Sequence, residues 1–512
     1  MITRSHLLAA ASAVALSVPA AGHAAQVKNT ILMISDGASW GTWDMANYWA
    51  YGTRSNATYD KLGVKLGMTT TPLNTSNTPQ YSGEPQVSYD PSKAWTTEAS
   101  ADVSQGHASV FTGYEYLKKD YTDSAAAATA LASGEKTYNN AINYDDFAQP
   151  LSYITQGMKT LGKSTGVVSS VPVSHATPAG FSSDNISRNN YGEISRDQIN
   201  GTLDLVIGGG NPFYDDNGQT RATGNFAPET GTGSGWIAES VYDTVTTDTE
   251  NWKYLETKAD FEALANGTLA LEDGQKIYGL PTVGSTLQFN RTLAGQGADA
   301  ANPSGIALND DVPTLATLTT GALNYLGQNQ DGFFAMVEGG AVDWAAHANN
   351  TGKIIEEQID FNNAVTAAFN WVETYSNWDE TLFIVLTDHG NGLPLGPDSD
   401  TNPFQLVTNN GQGVLPGVKW YSGTHTNENT KFWAHGAGSD MFYDSVVGYD
   451  QQFAAIIGHN TDGAYIENTA VYDVIAAANG IQPAPVPLPA GVVLMGTGVA
   501  AFAALRRRRK AA

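Results

Sequence analysis

Residues 121–130 read YTDSAAAATA, which places Ser124 directly before an alanine-rich run that predicts a helix. A serine at a helix N-terminus faces free backbone N–H groups and the positive end of the helix dipole. Such a position can hold an anion while the hydroxyl attacks it. The alternative is that Ser124 only caps the helix, as serines before helices often do. The remaining motifs of the chain favour the first interpretation.

Four short runs are strand candidates and fit buried parallel strands. They cover residues 29–34, 164–170, 333–337 and 381–386, and predicted helices alternate with the strands. This alternation predicts an α/β fold, a three-layer sandwich around a mostly parallel central sheet. In such a sheet the functional site lies beyond the carboxyl ends of the strands.

Candidate metal ligands follow three of these runs. Asp36 comes after the first run, Glu338 after the third, and Asp388 with His389 after the fourth. Burying an aspartate beside a histidine is costly unless a metal ion or strong partners compensate. Together with Ser124, these side chains predict an ion close to the serine hydroxyl.

A second group of candidate ligands follows Glu338. Asp343 and His347 lie four residues apart, which puts both on one face of a helix as two ligands of one ion. The alternative is a solvated ion pair. His425 is the candidate for a third ligand, and His435 is its rival. Two ions about 4 Å apart could clamp the attacking and leaving oxygens of a phosphoryl transfer. Histidines favour zinc, and an oxygen-rich ligand set favours magnesium.

The segment 169–191 supplies two further candidates. Thr177 offers a hydroxyl ligand, although a plain turn before Pro178 is the alternative. Arg188 can grip two phosphate oxygens with its planar guanidinium, although an ordinary surface arginine is the alternative.

In chain order, these motifs resemble the alkaline phosphatase family. The matching segments are 35–37 (SDG), 122–126 (TDSAA), 176–179 (ATPA), Glu338-Gly339 with Asp343 and His347, 387–389 (TDH), and His425. The resemblance implies the fold of that family, with Ser124 as the nucleophile and Arg188 as the phosphate clamp. We place His175 with the substrate-binding residues.

The resemblance also implies two zinc ions and one magnesium ion. The implied ligands are Asp343, His347 and His425 for one zinc, Asp36, Asp388 and His389 for the other, and Asp36, Thr177 and Glu338 for magnesium. Two positions depart from some members of the family. His175 stands where those members carry aspartate, and Trp344 where they carry lysine, which leaves the identity of the third metal open.

The implied activity is hydrolysis of phosphate monoesters through a phosphoserine, with release of inorganic phosphate. One alternative is a phosphodiesterase of the same superfamily. The other is a non-catalytic surface or matrix protein that keeps the fold. The sequence does not decide between a monomer and a homodimer.

Composition narrows the classes of partner. The 512 residues include 51 acidic and 26 basic side chains, for a net charge of −25. We therefore expect no nucleic-acid binding, which needs a basic surface. The absence of cysteine excludes thiol catalysis and thiolate ligands.

Both ends of the chain predict export. Residues 1–25 have a basic start, an apolar stretch and small residues, as in a signal peptide. Residues 482–512 combine a proline-rich linker, VPLPA, an apolar segment and a basic end. This tail resembles the VPLPA-CTERM type of PEP-CTERM sorting signals, which implies an exosortase-like processing enzyme and a transient membrane anchor. The expected location is the periplasm, the outer surface or the extracellular matrix. Between these ends, 26–481 is the predicted catalytic domain, with 208–303 as an irregular insertion.

Overall fold

The computed structural model describes residues 27–98, 113–247, 251–293 and 302–481. Its strands are β1 (Asn29–Ile34), β2 (Val64–Thr69), β3 (Ser164–Pro172), β4 (Leu205–Gly209), β5 (Trp252–Leu255), β6 (Lys276–Gly279), β7 (Phe333–Glu338), β8 (Thr381–Leu386), β9 (Gly390–Asn391), β10 (Pro394–Leu395), β11 (Lys419–Trp420), β12 (His425–Thr426), β13 (Thr430–Gly436), β14 (Val446–Tyr449) and β15 (Ala464–Glu467).

The α-helices in this part of the chain are α1 (Trp40–Tyr51), α2 (Pro91–Ala94), α3 (Ser124–Ser133), α4 (Ile154–Thr160), α5 (Ala176–Gly180), α6 (Tyr191–Asn200), α7 (Glu239–Thr246), α8 (Lys258–Ala265), α9 (Leu315–Leu326), α10 (Ala341–His347), α11 (Thr351–Tyr375) and α12 (Thr469–Asn479). Short 3₁₀ turns occur at Thr58–Lys61, Tyr116–Lys118 and Ser439–Ser445, and a π-helical turn at Phe453–Ile457.

One large sheet organises the described residues, with strand order β14-β15-β2-β13-β8-β1-β7-β3-β4-β6-β5. Within this sheet the run from β8 to β5 is parallel throughout, and its antiparallel pairs involve β13 or β14. Two separate two-stranded sheets, β10 with β11 and β9 with β12, are antiparallel. The four strands predicted from the sequence form the middle of the sheet as β8, β1, β7 and β3. The predicted mostly parallel α/β fold is therefore confirmed.

The register of the central strands brings their carboxyl ends to one edge. Ile34 pairs with Glu338 on one side and with Leu386 on the other, and Glu338 also pairs with Ser169. The residues that follow these strands therefore emerge side by side, as expected for a site of an open α/β sheet.

Helices cover both faces of the sheet, which gives three layers. Along β1, Ile31 and Met33 pack in a core cluster with α1, α9 and α11. Leu32 and Ile34 pack in a second cluster with α3, α4 and α12. Because both faces are buried, apolar residues occupy consecutive positions of a central strand such as β1, where residues 31–34 read ILMI, rather than alternate ones.

The expectation that 208–303 is an irregular insertion is wrong for the part that the structure describes. This segment contains β5 and β6, which pair with each other and with β4 and so extend the central sheet. It also contains α7 and α8. The two strands have only four residues each. Such short runs give no detectable period in the sequence.

The predicted signal peptide and sorting tail, residues 1–25 and 482–512, lie outside the described residues. Among the helices that the structure does describe, none combines the length and the apolar character that crossing a membrane requires.

Candidate active site

Ser124 is the first residue of α3 and does not cap it. The N-cap is Asp123, whose Oδ1 accepts a hydrogen bond of 2.9 Å from the backbone N–H of Ala126. The alternative interpretation of Ser124 as a cap is therefore wrong, and its hydroxyl is left for another role. Ser124 Oγ lies 3.1 Å from Nε2 of His389. The hydroxyl thus points from the helix N-terminus to the carboxyl edge of the sheet.

Asp36, Asp388 and His389 meet beyond the ends of β1 and β8. Nε2 of His389 lies 3.5 Å from Asp36 Oδ1 and 3.2 Å from Asp388 Oδ2. All three side chains are fully buried, and one potential ligand atom of each lies within 4.8 Å of the other two. The adjacent pairing of β1 with β8 produces this group, which has the size and the donors of a metal site.

Asp343, His347 and His425 form a second group. Asp343 and His347 share one face of α10, and their Oδ2 and Nε2 atoms lie 3.4 Å apart. Nε2 of His425 lies 3.4 Å from Asp343 Oδ1 and 3.1 Å from Nε2 of His347. Nδ1 of His425 donates to the carbonyl of Thr122 at 2.8 Å, which leaves Nε2 free to bind a metal.

The two groups adjoin each other. The imidazole rings of His389 and His425 stack with their centroids 3.7 Å apart. The loop after Asp36 also reaches Asp343. Gly37 has a φ of +68°, and a Cβ at this position would lie 2.6 Å from Asp343 Oδ1. Only glycine allows this close approach, which explains the residue after Asp36 in physical terms.

His435, the rival of His425, does not reach the site. It lies on β13 opposite Phe383, in the middle of β8, and its ring packs on Trp378 with 4.7 Å between centroids. The ligands lie beyond the carboxyl end of β8, so His435 as a ligand is wrong.

Thr177 and Glu338 lie next to Asp36 as a third group. Thr177 Oγ1, Glu338 Oε1 and both carboxylate oxygens of Asp36 are buried without a hydrogen-bond partner of normal geometry. The other oxygen of Glu338 accepts a hydrogen bond from Ser169. Unpaired buried oxygens are costly, and a bound cation would satisfy them. These oxygen donors fit a magnesium site.

Buried charge dominates the electrostatics of the cluster. Burial raises the pKa of Asp36 well above its usual value, and the charge of Asp388 adds to this effect. Burial also raises the pKa values of Glu338 and Asp388 to about 7. At Asp343 burial acts in the same direction, but His347 and His425 outweigh it and hold its pKa well below the usual value. So many buried carboxylates stay ionised only beside cations, and the residues therefore fit divalent metal ions.

Arg188 and His175 lie across from the ligands. Arg188 Nη1 is 3.0 Å from Asp123 Oδ2, and Nη2 donates to His175 Nε2 at 3.3 Å. Burial and the charge of Arg188 lower the pKa of His175 to about 3, so the imidazole is neutral and accepts this bond. Both side chains line a cavity of about 730 Å³ together with Ser124.

Several residues at the site were not predicted. Asn391 Nδ2 donates to Asp343 Oδ1 at 2.6 Å, and Ser169 supports Glu338 from the neighbouring strand. Asp123 directly precedes Ser124. Phe289 and Tyr121 also line the cavity. Asp123 and Tyr121 lie in the same stretch as Ser124, and Asn391 lies two residues after His389, so these positions could have been found from sequence. Ser169 and Phe289 reach the site only through the folding of distant segments.

Comparison with known proteins gives a family match. A family model described as alkaline phosphatase matches residues 27–429. The chain is 32% identical to Alkaline phosphatase 4 of Bacillus subtilis over 288 residues, which are 55% of this chain and 52% of that protein. It is 28% identical to the alkaline phosphatase of Escherichia coli K12 over 337 residues, 58% of this chain and 64% of that protein. The first of these matches thus spans about half the length of the curated relative.

A solved structure shows the same fold. The alkaline phosphatase of the Antarctic bacterium TAB5 superposes with a TM-score of 0.56 and 21% identity, covering 89% of this chain and 99% of that one. The extent of the family match and the shared fold lead to one conclusion: this chain belongs to the alkaline phosphatase family.

Proposed function

We propose that this protein hydrolyses phosphate monoesters through a phosphoserine formed at Ser124. One observation carries the proposal. Ser124 Oγ lies at a helix N-terminus, 3.1 Å from His389 Nε2, and lines the same cavity as Arg188. A nucleophile, two groups of metal ligands and an anion-binding guanidinium are the parts that phosphoryl transfer needs.

Each step follows from these positions. Arg188, held by Asp123, binds two phosphate oxygens and orients the phosphorus towards Ser124. Ser124 Oγ loses its proton to water and attacks the phosphorus, the bond to the ester oxygen breaks, and that oxygen takes up a proton from water and leaves as the alcohol. A water molecule then attacks the phosphoserine, which releases inorganic phosphate and restores the hydroxyl of Ser124.

We further propose two zinc ions and one magnesium ion as cofactors. The proposed zinc ligands are Asp343, His347 and His425 at one site and Asp36, Asp388 and His389 at the other, and the proposed magnesium ligands are Asp36, Thr177 and Glu338. Bound there, divalent ions lower the pKa of the serine hydroxyl and of water and offset the charge of the phosphate. The unpaired oxygens of Asp36, Thr177 and Glu338 support the third site.

The test of the activity measures both the released alcohol and inorganic phosphate, with purified, metal-loaded protein and paired substrates, methyl phosphate against dimethyl phosphate and phenyl phosphate against diphenyl phosphate. We expect release from the monoesters. Faster cleavage of the diesters would identify a phosphodiesterase instead. A folded, metal-loaded protein that cleaves none of the four would be a non-catalytic member of the family.

We also propose that the protein is exported and that its tail, residues 482–512, is recognised by an exosortase-like enzyme. The proposal covers both a monomer and a homodimer. Deletion of the tail should shift the protein from the membrane fraction to the soluble fraction at unchanged specific activity. An unchanged distribution between the fractions would count against a sorting role, and light scattering of the purified protein would give its oligomeric state.

A further inference from the structure

The cavity beside Ser124 offers far more room than a phosphate group needs. Its volume is about 730 Å³. Besides the proposed phosphate-binding residues, three aromatic residues line it, Tyr121, Phe289 and Trp344. All three rings are half-buried, so their remaining surface is available to a ligand. We call these three residues the aromatic wall.

Contacts with neighbouring side chains hold the rings of Phe289 and Trp344 in place. The rings of Phe289 and Trp344 meet edge to face with 6.5 Å between centroids, and Trp344 packs on His175 at 5.6 Å. Lys353 supports Phe289 twice, because Nζ lies 5.0 Å from the ring centroid and also donates to the backbone carbonyl of the same residue. A wall fixed in this way loses little side-chain freedom when a ligand packs on it.

Tyr121 extends the wall towards the metal ligands. Its ring contacts His425 edge to face at 5.9 Å, and it precedes Ser124 by three residues. The polar side chains of Asn77 and Asn139 line another part of the cavity. The cavity therefore combines aromatic surface with amide groups that can hydrogen-bond a ligand, the composition expected for a small-molecule subsite.

We propose that the aromatic wall is a leaving-group subsite that favours phosphate monoesters whose alcohol carries a planar aromatic ring. The inference rests on the proposed function, because anchoring the phosphate between Ser124 and Arg188 leaves the alcohol in the remaining space. A planar ring stacks on aromatic side chains, whereas a short alkyl chain or a bare sugar gains much less. The ring comes from an aryl alcohol or from a nucleoside base.

Two matched substrate pairs test the subsite with metal-loaded wild-type protein. The first compares 2-phenylethyl phosphate with ethyl phosphate, and the second compares adenosine 5′-monophosphate with ribose 5-phosphate. Within each pair the reacting alcohol is of the same kind, so the aromatic group is the main difference. We expect kcat/KM to be about tenfold higher for the aromatic member, the size of one good stacking contact. The pair with the larger ratio identifies the source of the ring.

Variants of Phe289 assign the effect to the wall. Phe289→Ala should bring the ratio of kcat/KM within each pair close to one, and Phe289→Leu, which keeps the apolar volume, should give an intermediate ratio. Tyr375→Ala is the control, because this ring lies at the end of α11, is 70% exposed and does not line the cavity. Thermal unfolding of each variant shows that the fold is intact.

The outcomes separate this inference from the proposed function. Hydrolysis of all four substrates with equal kcat/KM inside each pair would overturn the subsite and leave the phosphatase activity standing. An aromatic preference that both Phe289 variants retain would overturn the assignment to the wall. No phosphate release from any substrate would overturn the proposed function and the subsite together.

Discussion

Asp123 holds Arg188 in place: its Oδ2 lies 3.0 Å from the guanidinium Nη1. The other oxygen of the same carboxylate caps α3 by accepting from the N–H of Ala126. One side chain therefore fixes both the helix that begins with Ser124 and the guanidinium that faces it. The geometry between Ser124, the proposed nucleophile, and Arg188, the proposed phosphate clamp, depends on this carboxylate.

Substitution of Asp123 separates these two roles. Asp123→Asn keeps a capping oxygen but loses the ion pair, so we expect KM to rise by about tenfold to a hundredfold, with little change in the melting temperature. Asp123→Ala loses both contacts and should also lower the free energy of unfolding by about 1 kcal/mol. Steady-state kinetics and thermal unfolding measure the two effects. A normal KM in Asp123→Asn would show that the ion pair does not position Arg188.

Ser169 supports the third metal group through Glu338. Ser169→Ala removes the hydrogen bond to Glu338, so we expect about tenfold more magnesium to be needed for full activity, the usual effect of losing a contact to a ligand. Thr165→Val on the same strand is the matched control, because this buried hydroxyl bonds to Thr202 away from the ligands. Titration of activity with magnesium compares the variants. Identical curves for wild type and Ser169→Ala would contradict the role of Ser169.

Removal of metal ions should abolish activity and lower stability. The ligands include buried carboxylates that repel one another without a cation. We expect a chelator to inactivate the enzyme, zinc to restore most of the activity, and magnesium to raise it further. Elemental analysis must accompany each assay. Full activity in a preparation shown to be free of metal would exclude the proposed cofactors.

His459 lies away from the candidate active site and should make the stability of the fold depend on pH. Burial and the charge of Lys431 lower its pKa to about 3, and its Nε2 donates to the carbonyl of Phe432 at 2.9 Å. In the unfolded chain histidine binds a proton near pH 6.5. The unfolded state therefore binds more protons, and this residue's contribution to stability is lost as pH falls from about 6.5 towards 3.

His459→Gln keeps a donor but cannot titrate in this range. We expect its free energy of unfolding to fall less steeply than that of the wild type between pH 7 and pH 5, as measured by urea unfolding at both values. Equal changes in the free energy of unfolding of the two proteins between pH 7 and pH 5 would show that the fold does not hold His459 in its neutral form.

The central part of the fold could be predicted because its physical signal is strong. β1, β3, β7 and β8 are buried on both faces, and β1, β7 and β8 carry consecutive apolar residues. Glu338 ends β7, and Asp36 and Asp388 come two residues after β1 and β8. β5 and β6 could not be predicted, because four residues each are too few to show a period.

The candidate site was predicted less completely than the fold. The choice of Asp123 over Ser124 as the cap depends on backbone geometry, because both residue types cap helices equally well. His425 and His435 differ only in which strand positions they occupy, which a single sequence does not show. Phe289 reaches the site through the folding of a distant segment, so no local pattern marks it. Asn391 lies two residues after His389, but its contact with Asp343 depends on the packing of α10.

Detection of a phosphoryl group on Ser124 tests the proposed phosphoserine mechanism directly. Wild-type protein is mixed with a phosphate monoester, quenched in acid within one turnover, and digested for mass spectrometry, with Ser124→Ala in parallel. We expect phosphate on Ser124 in the wild type, and a turnover lower by several orders of magnitude in a folded, metal-loaded Ser124→Ala protein. Near-normal turnover in the Ser124→Ala variant would show that Ser124 is not the nucleophile.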